Sequence, residues 1–275
     1  MKRMIKTLVL LTGGCLALTW PVACGAVDTN KFSWVGSLGT GFPAITLAPA
    51  DTNSVALTNR PAWESSVGFG FTLTRGNSDT MLAAANLQTR RRTQADEISL
   101  GADGAYGENN SVQNVNTAHG FSQYNHLFSE RFFGYLRADA LHDEIANLQY
   151  RITLSPGVGY YFLRQTNNSL AGEFGPAMVF QQLGSQGENY VTLRVAERFE
   201  HKFTENSARV WEAVEILPQI DRFDNYIVNA QAGIEAAISK KVSLQISLQD
   251  NFVNEPAPGR QQNDLRIVSG LKYRF

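Results

Sequence analysis

From Trp63 onward the chain alternates. Trp63, Ser65, Val67, Phe69, Phe71 and Leu73 fall on one side of an extended backbone, and Glu64, Ser66, Gly68, Gly70 and Thr72 on the other. A period of two is that of a β-strand, whose successive side chains point to opposite faces. The return segment places Met81, Ala83, Ala85 and Leu87 on one face and Asn86, Gln88 and Arg90 on the other. Tyr150, Ile152, Leu154, Pro156, Val158, Tyr160 and Phe162 alternate in the same way with Arg151, Thr153, Ser155, Gly157 and Gly159. The pattern recurs in 98–106, 115–124, 170–180, 191–203, 208–217, 226–238, 242–248 and 265–275. In 132–140 both faces carry apolar residues; setting Leu136, Ala138 and Ala140 outward puts Arg137 and Asp139 inward. The sum is about twelve strands. Each is near the length, roughly ten residues, that a tilted strand needs to cross a bilayer.

Alternation alone does not separate a soluble sandwich from a membrane barrel. The start of the chain bears on the choice. Met1-Lys2-Arg3 and Lys6 precede the apolar stretches Leu8-Val9-Leu10-Leu11 and Cys15-Leu16-Ala17-Leu18, and small residues follow at Ala23-Cys24-Gly25-Ala26. This order is that of a secretory signal, 1–26, cut after Ala26. As an uncleaved membrane helix the run is too short and is broken by Gly13 and Gly14. As a lipoprotein signal, with Cys24 or Cys15 acylated, it lacks the usual apolar residue three places before the cysteine. Both cysteines lie inside the signal, so no disulfide, thiolate metal site or cysteine nucleophile is expected after cleavage. The 24 basic and 25 acidic side chains, less the cations Lys2, Arg3 and Lys6, leave a mature charge of −4. An acidic exported chain is a poor nucleic-acid binder. Beyond the signal no stretch approaches the roughly 18 apolar residues of a spanning helix. A chain in lipid without helices must satisfy its backbone between strands, in a closed barrel.

The expected organisation is a signal over 1–26, a periplasmic lead segment over 27–61 and an outer-membrane β-barrel over 62–275. The lead segment, with Trp34, several glycines and Pro43, Pro49 and Pro61, has no sustained period. Short turns at Ser129-Glu130-Arg131, Thr204-Glu205-Asn206 and Ser239-Lys240-Lys241 suit the periplasmic side. Longer connections at 184–189, 218–225 and 251–263 suit the outer side. The tight Gly76-Asn77-Ser78-Asp79 turn and the longer 91–96 connection run against that scheme.

Catalytic signals are weak. Gly68-Phe69-Gly70 and Gly157-Val158-Gly159 do not open a helix after a strand, so they read as space-saving glycines in a wall rather than a nucleotide site. His119, His126, His142 and His201 lie on separate segments without metal-ligand spacing. A barrel phospholipase needs histidine and serine on one face, yet His119 and Ser122 are three apart and point oppositely. His142 with Asp139 or Asp143 is the remaining protease-like candidate. No enzyme, metal or cofactor is expected.

The inward charges are the richer constellation. They comprise Glu64, Asp103, Arg137, Asp139, Arg151, Glu173, Arg194, Arg198, Glu200, Lys202, Glu235, Arg266, Lys272 and Arg274. Mixed signs permit a charge-lined aqueous pore, or pairing across the lumen that closes it.

The residues also carry a resemblance. Gly70-Phe71-Thr72-Leu73-Thr74-Arg75-Gly76-Asn77-Ser78-Asp79-Thr80 resembles the opening signature of domain-of-unknown-function family 481, described as salt-induced outer-membrane proteins. Arg131-Phe132-Phe133-Gly134-Tyr135, then Asp143, Leu148, Arg151 and Gly157-Val158-Gly159-Tyr160, are similar to its middle. Gln123 departs from the basic residue expected there. The resemblance spans 63–275 and implies a barrel and an outer-membrane location, with no catalytic residues. The ending Leu271-Lys272-Tyr273-Arg274-Phe275 fits it, with Leu271, Tyr273 and Phe275 as the expected assembly signal. The partners expected are outer-membrane lipid, lipopolysaccharide, the barrel-assembly machinery and small solutes. A small-solute channel or envelope-stress role is the expectation; the alternatives are a structural or adhesive barrel with a closed lumen and, behind it, an outer-membrane hydrolase.

Overall fold

A computed structural model describes residues 63–74, 80–203 and 207–275, together with 6–7 and 19–20. The chain divides into two units, Met1–Trp34 and Val35–Phe275. In the first, β1 (Lys6–Thr7) pairs antiparallel with β2 (Thr19–Trp20). Apart from that ladder, the signal over 1–26 and the lead segment over 27–61 lie outside the described residues. So do the turns Gly76-Asn77-Ser78-Asp79 and Thr204-Glu205-Asn206.

The second unit is an all-β, antiparallel, up-and-down barrel of twelve strands. They are β3 (Trp63–Thr74), β4 (Thr80–Arg92), β5 (Asp96–Asn109), β6 (Val112–Leu127), β7 (Phe132–Asp143) and β8 (Leu148–Arg164). The remainder are β9 (Asn168–Leu183), β10 (Gln186–Lys202), β11 (Ala208–Pro218), β12 (Tyr226–Ala237), β13 (Val242–Val253) and β14 (Asn263–Arg274). Each strand bonds to its neighbours in sequence, and β14 returns to β3 to close the wall. That closure is the shortest ladder of the barrel, with four paired positions from Leu271↔Phe69 to Arg274↔Ser66. The Phe275 N–H extends it by a bond to the Ser65 carbonyl at 3.0 Å.

Burial follows the period of two. Phe69 and Phe71 are 63 % and 67 % exposed, and Leu136, Phe162, Phe174 and Leu271 are exposed as well. Ser66, Arg137, Ser155, Glu173 and Lys272, on the opposite face, are buried. In 132–140, Leu136 and Ala140 are exposed while Phe133, Tyr135 and Arg137 are buried, so the inner face carries rings as well as charge.

Inward glycines make room for those rings. Gly101, Gly157, Gly159 and Gly233 each stand directly across a strand pair from an aromatic residue, respectively Phe121, Tyr135, Phe133 and Trp211. Each ring covers the glycine so closely that a Cβ there would collide with it. An aromatic laid over a facing glycine is a known device for holding curved sheet.

Two connections are shorter than their polarity implies. The 91–96 connection shrinks to 93–95, because β4 runs to Arg92 and β5 starts at Asp96. Thr93 Oγ1 accepts the Asp96 N–H at 2.8 Å and tightens that turn. The 184–189 connection shrinks to Gly184-Ser185, because the β9–β10 ladder continues through polar residues from Asn189↔Phe180 to Gln186↔Leu183. Backbone pairing needs no apolar alternation to persist. Gly184 takes the turn with φ +60°, a left-handed backbone that suits glycine. The asymmetry between short turns and long loops therefore rests on 219–225 and 254–262.

Candidate functional site

In a closed barrel, a bond between strands that are not neighbours in the wall must pass through the interior. Several do, and they build the site. Gln123 on β6 donates to Glu173 Oε1 on β9 at 2.9 Å. Its own Oε1 accepts from Arg137 at 3.1 Å and from Arg198 on β10 at 3.3 Å. Arg198 also pairs with Glu173. Arg194 donates to the other oxygen of Glu173 at 2.8 Å, to the Tyr135 hydroxyl of β7 at 3.1 Å, and to Glu215. Arg137 grips Asp139 with two nitrogens, at 2.8 and 2.5 Å. The result is a layer of charge bridging β6, β7, β9, β10 and β11. Arg137 within it is 0 % exposed.

A second layer lies toward the end where β14 meets β3. Glu235 on β12 accepts from Arg209 at 2.7 Å, from the Ser243 hydroxyl at 2.7 Å and from Arg274, with Lys272 at 3.5 Å. It is 1 % exposed. Across the lumen Glu97 on β5 takes the Tyr161 hydroxyl of β8 at 2.9 Å, with Arg92 at 3.3 Å and Arg164 at 3.7 Å. Glu200 pairs with Arg209 at 3.2 Å and Lys202 at 3.7 Å.

A cavity of about 60 Å³ lies between His119, Asp139, Arg151, Thr153, Glu215 and Asn229, among others. At roughly 15 Å³ for each ordered water, it holds only a few. His119 Nδ1 is 2.9 Å from Asp103 and Nε2 is 3.5 Å from Asp139, so both ring nitrogens are engaged by carboxylates. Arg151 donates to Gln181 at 2.8 Å, and Arg266 on β14 reaches Asp143 on β7 at 3.4 Å.

The sequence-derived inward residues thus divide among these groups. Glu64 is the outlier, mostly exposed at the rim and 3.9 Å from Arg90. His142 is not brought into a protease-like dyad. Its Nδ1 meets the Gln149 carbonyl at 2.8 Å, while Asp139 is held by Arg137 and Asp143 accepts the Ala146 N–H at 2.9 Å. Ser122 is exposed on the outer face, opposite His119.

Several contributors are absent from the sequence reading. Glu97 falls one residue outside the alternating stretch 98–106. Arg209 and Glu215 share their strand face with Trp211, Ala213 and Leu217, so that face does not look polar. Phasing β11 from its own period would have found them. Gln123 is the hub of the central layer, and a neutral amide is suited to it, since it accepts from two guanidinium groups and donates to a carboxylate. A basic residue there would add a third cation beside Arg137 and Arg198. On the outer face Tyr273 and Phe275 stack at 6.3 Å, and Lys241 Nζ lies 5.8 Å from the Tyr273 ring.

No curated protein matches the chain. Among solved structures it is similar to the NanC porin, at 8 % identity over 77 % of this chain and 100 % of that one, TM-score 0.49. It is also similar to an outer membrane channel from Pseudomonas putida F1, at 9 % identity over 84 % and 100 %, TM-score 0.47. A KdgM porin matches at 10 % identity over 78 % and 99 %, TM-score 0.45. The chain belongs to the family described as "Protein of unknown function, DUF481", which matches residues 67–275.

Proposed function

Starting from that membership, we propose that the protein is a non-enzymatic outer-membrane barrel. In this reading it passes small solutes through a lumen narrowed to a charge-paired constriction. A ring of exposed large apolar side chains around the wall supports the membrane location, because a monomer in water rarely exposes so large a contiguous apolar surface. Strands of 11 to 17 residues exceed the roughly ten needed to cross a bilayer. The two long connections, 219–225 and 254–262, suit the cell exterior and support an orientation with the β14–β3 end toward the periplasm. Lipid and lipopolysaccharide are then the neighbours of the wall, and the barrel-assembly machinery its route of insertion.

The observation that carries the constriction is the layer joining Gln123, Glu173, Arg194 and Arg198 across the interior. Paired charges in so enclosed a place exclude free ions and still offer polar partners to a solute that displaces them. Planar-bilayer recording of the purified protein is the test. The wild type is expected to show small, infrequent unitary steps, and Arg194→Ala to enlarge them severalfold. No unitary current from either protein, over a range of voltages and salts, would remove the channel reading. The complete burial of Arg137 favours the second reading, a barrel permanently shut that acts through its wall and loops.

A further inference from the structure

Arg90 stands apart from the cations that meet acceptors in the two layers. It lies on the inner face of β4, across from Glu64 on β3 and Ser99 on β5, near the β14–β3 end. The residue is 7 % exposed, and none of its three guanidinium nitrogens makes a hydrogen bond among the described residues. Among the described residues its single ion pair is the loose one with Glu64, a carboxylate that is itself mostly exposed to solvent. A guanidinium carries five donors and stays charged, so burying it without acceptors is costly.

The surroundings do not supply those acceptors. Arg92 adds like charge to Arg90, whose anionic neighbours are Glu64, Glu97 and Glu200, and Lys202 has Arg90, Arg92 and Arg209 as cationic neighbours besides Glu200. The two buried carboxylates in range already serve other groups. Glu97 holds Arg92, Arg164 and the Tyr161 hydroxyl. Glu200 gives Oε2 to Arg209, while its Oε1 lies 3.7 Å from Lys202 and makes no hydrogen bond among the described residues, Arg90 included. Arg90, Arg92, Arg164 and Lys202 therefore draw on Glu97 and Glu200, and Glu200 is shared in turn with Arg209, which also pairs with Glu235.

We propose that Arg90 anchors a binding site for a small oxyanion, of the phosphate or carboxylate kind, in the lumen near the β14–β3 end. An oxyanion presents two or more acceptor atoms to the planar fork and supplies the charge the cluster lacks. Arg92 and Lys202 flank it as secondary cations. Glu64, at the rim, competes for the same donors and lowers the affinity. The site rests on the proposed function only in that this end of the lumen meets water. Binding is read without any current, so a non-conducting barrel would leave the site standing.

The experiment follows thermal unfolding of the purified barrel in detergent, by its heat-modifiable gel mobility. Inorganic phosphate is titrated at constant ionic strength against chloride. The wild type is expected to show a rise in Tm that saturates. Arg90→Gln should abolish the rise, and Arg90→Lys should weaken it severalfold by replacing the fork with a point charge. Arg222→Gln, in an exposed pair with Glu255 far along the chain, should retain it. Glu64→Gln should lower the half-saturating phosphate concentration severalfold, which keeps the test decisive if Arg90→Gln does not fold. An unsaturable or absent rise in the wild type overturns the site. So does an equal rise in Arg90→Gln, or an unchanged half-saturation in Glu64→Gln.

Discussion

Glu173 meets two guanidinium groups and an amide at once, so its removal tests the interior more sharply than the loss of any rim charge. Breaking a buried pair by deleting one partner costs about 3–5 kcal/mol, because the other charges stay buried and uncompensated. Glu173→Ala is expected to lower stability by about that amount in urea unfolding from lipid vesicles. A loss of less than about 1 kcal/mol, the range of a surface pair, would mean that water reaches this layer. At the same scale Gly159 lies beneath the Phe133 ring, so Gly159→Val forces the ring from its place. Overpacking of this kind costs about 1–3 kcal/mol. The same unfolding measurement checks it, with Gly187, which has open space around a would-be Cβ, as the tolerant comparison.

At the scale of the element, the seam is the vulnerable joint. The β9–β10 ladder runs from Gln186↔Leu183 to His201↔Asn168, whereas β14–β3 is paired only from Leu271↔Phe69 to Arg274↔Ser66. Phe275 adds its backbone bond to Ser65 and a ring stacked on Tyr273. Deleting Phe275 is expected to reduce insertion into the outer membrane severalfold, through the loss of both the closing bond and the aromatic end proposed as the assembly signal. Insertion equal to that of the full chain, measured by surface accessibility and heat-modifiable mobility, would end that proposal. How much of each element can be read from sequence differs for a physical reason. In 150–162 one face is apolar and the other small or polar, and burial there follows the alternation throughout. In β7, Phe133 and Tyr135 lie inward with Arg137, and Leu136 lies outward, so hydrophobicity does not separate the faces. Inward rings are permitted there because Gly159 and Gly157 face them on β8. That fact depends on strand register, which is invisible until the hairpin is paired.

The whole molecule inverts the usual distribution, with apolar residues outside and paired charge within. If the outside faces lipid, an arginine placed at mid-wall must be expensive and one placed at a turn must not. Phe174→Arg on β9 is expected to cost about 2–4 kcal/mol when the barrel folds into lipid vesicles, and Ser129→Arg about 0–1 kcal/mol. Equal costs at the two positions would mean that the wall does not sit in lipid as proposed.

The sequence by itself determined the strands and, for most of them, which side faces in. Those are local properties, since a period of two is written in consecutive residues and the backbone can answer it in only one way. It also placed Arg137, Glu173, Arg194 and Arg198 on the inner face. Only the tertiary structure decided which of them meet. Gln123 and Glu173 are 50 residues apart, and Arg266 and Asp143 are 123 apart. Their contacts depend on how twelve strands close and how far each side chain reaches across the lumen. The same closure leaves Arg90 buried without a hydrogen-bond acceptor among the described residues, although in the sequence it is one more inward cation among many.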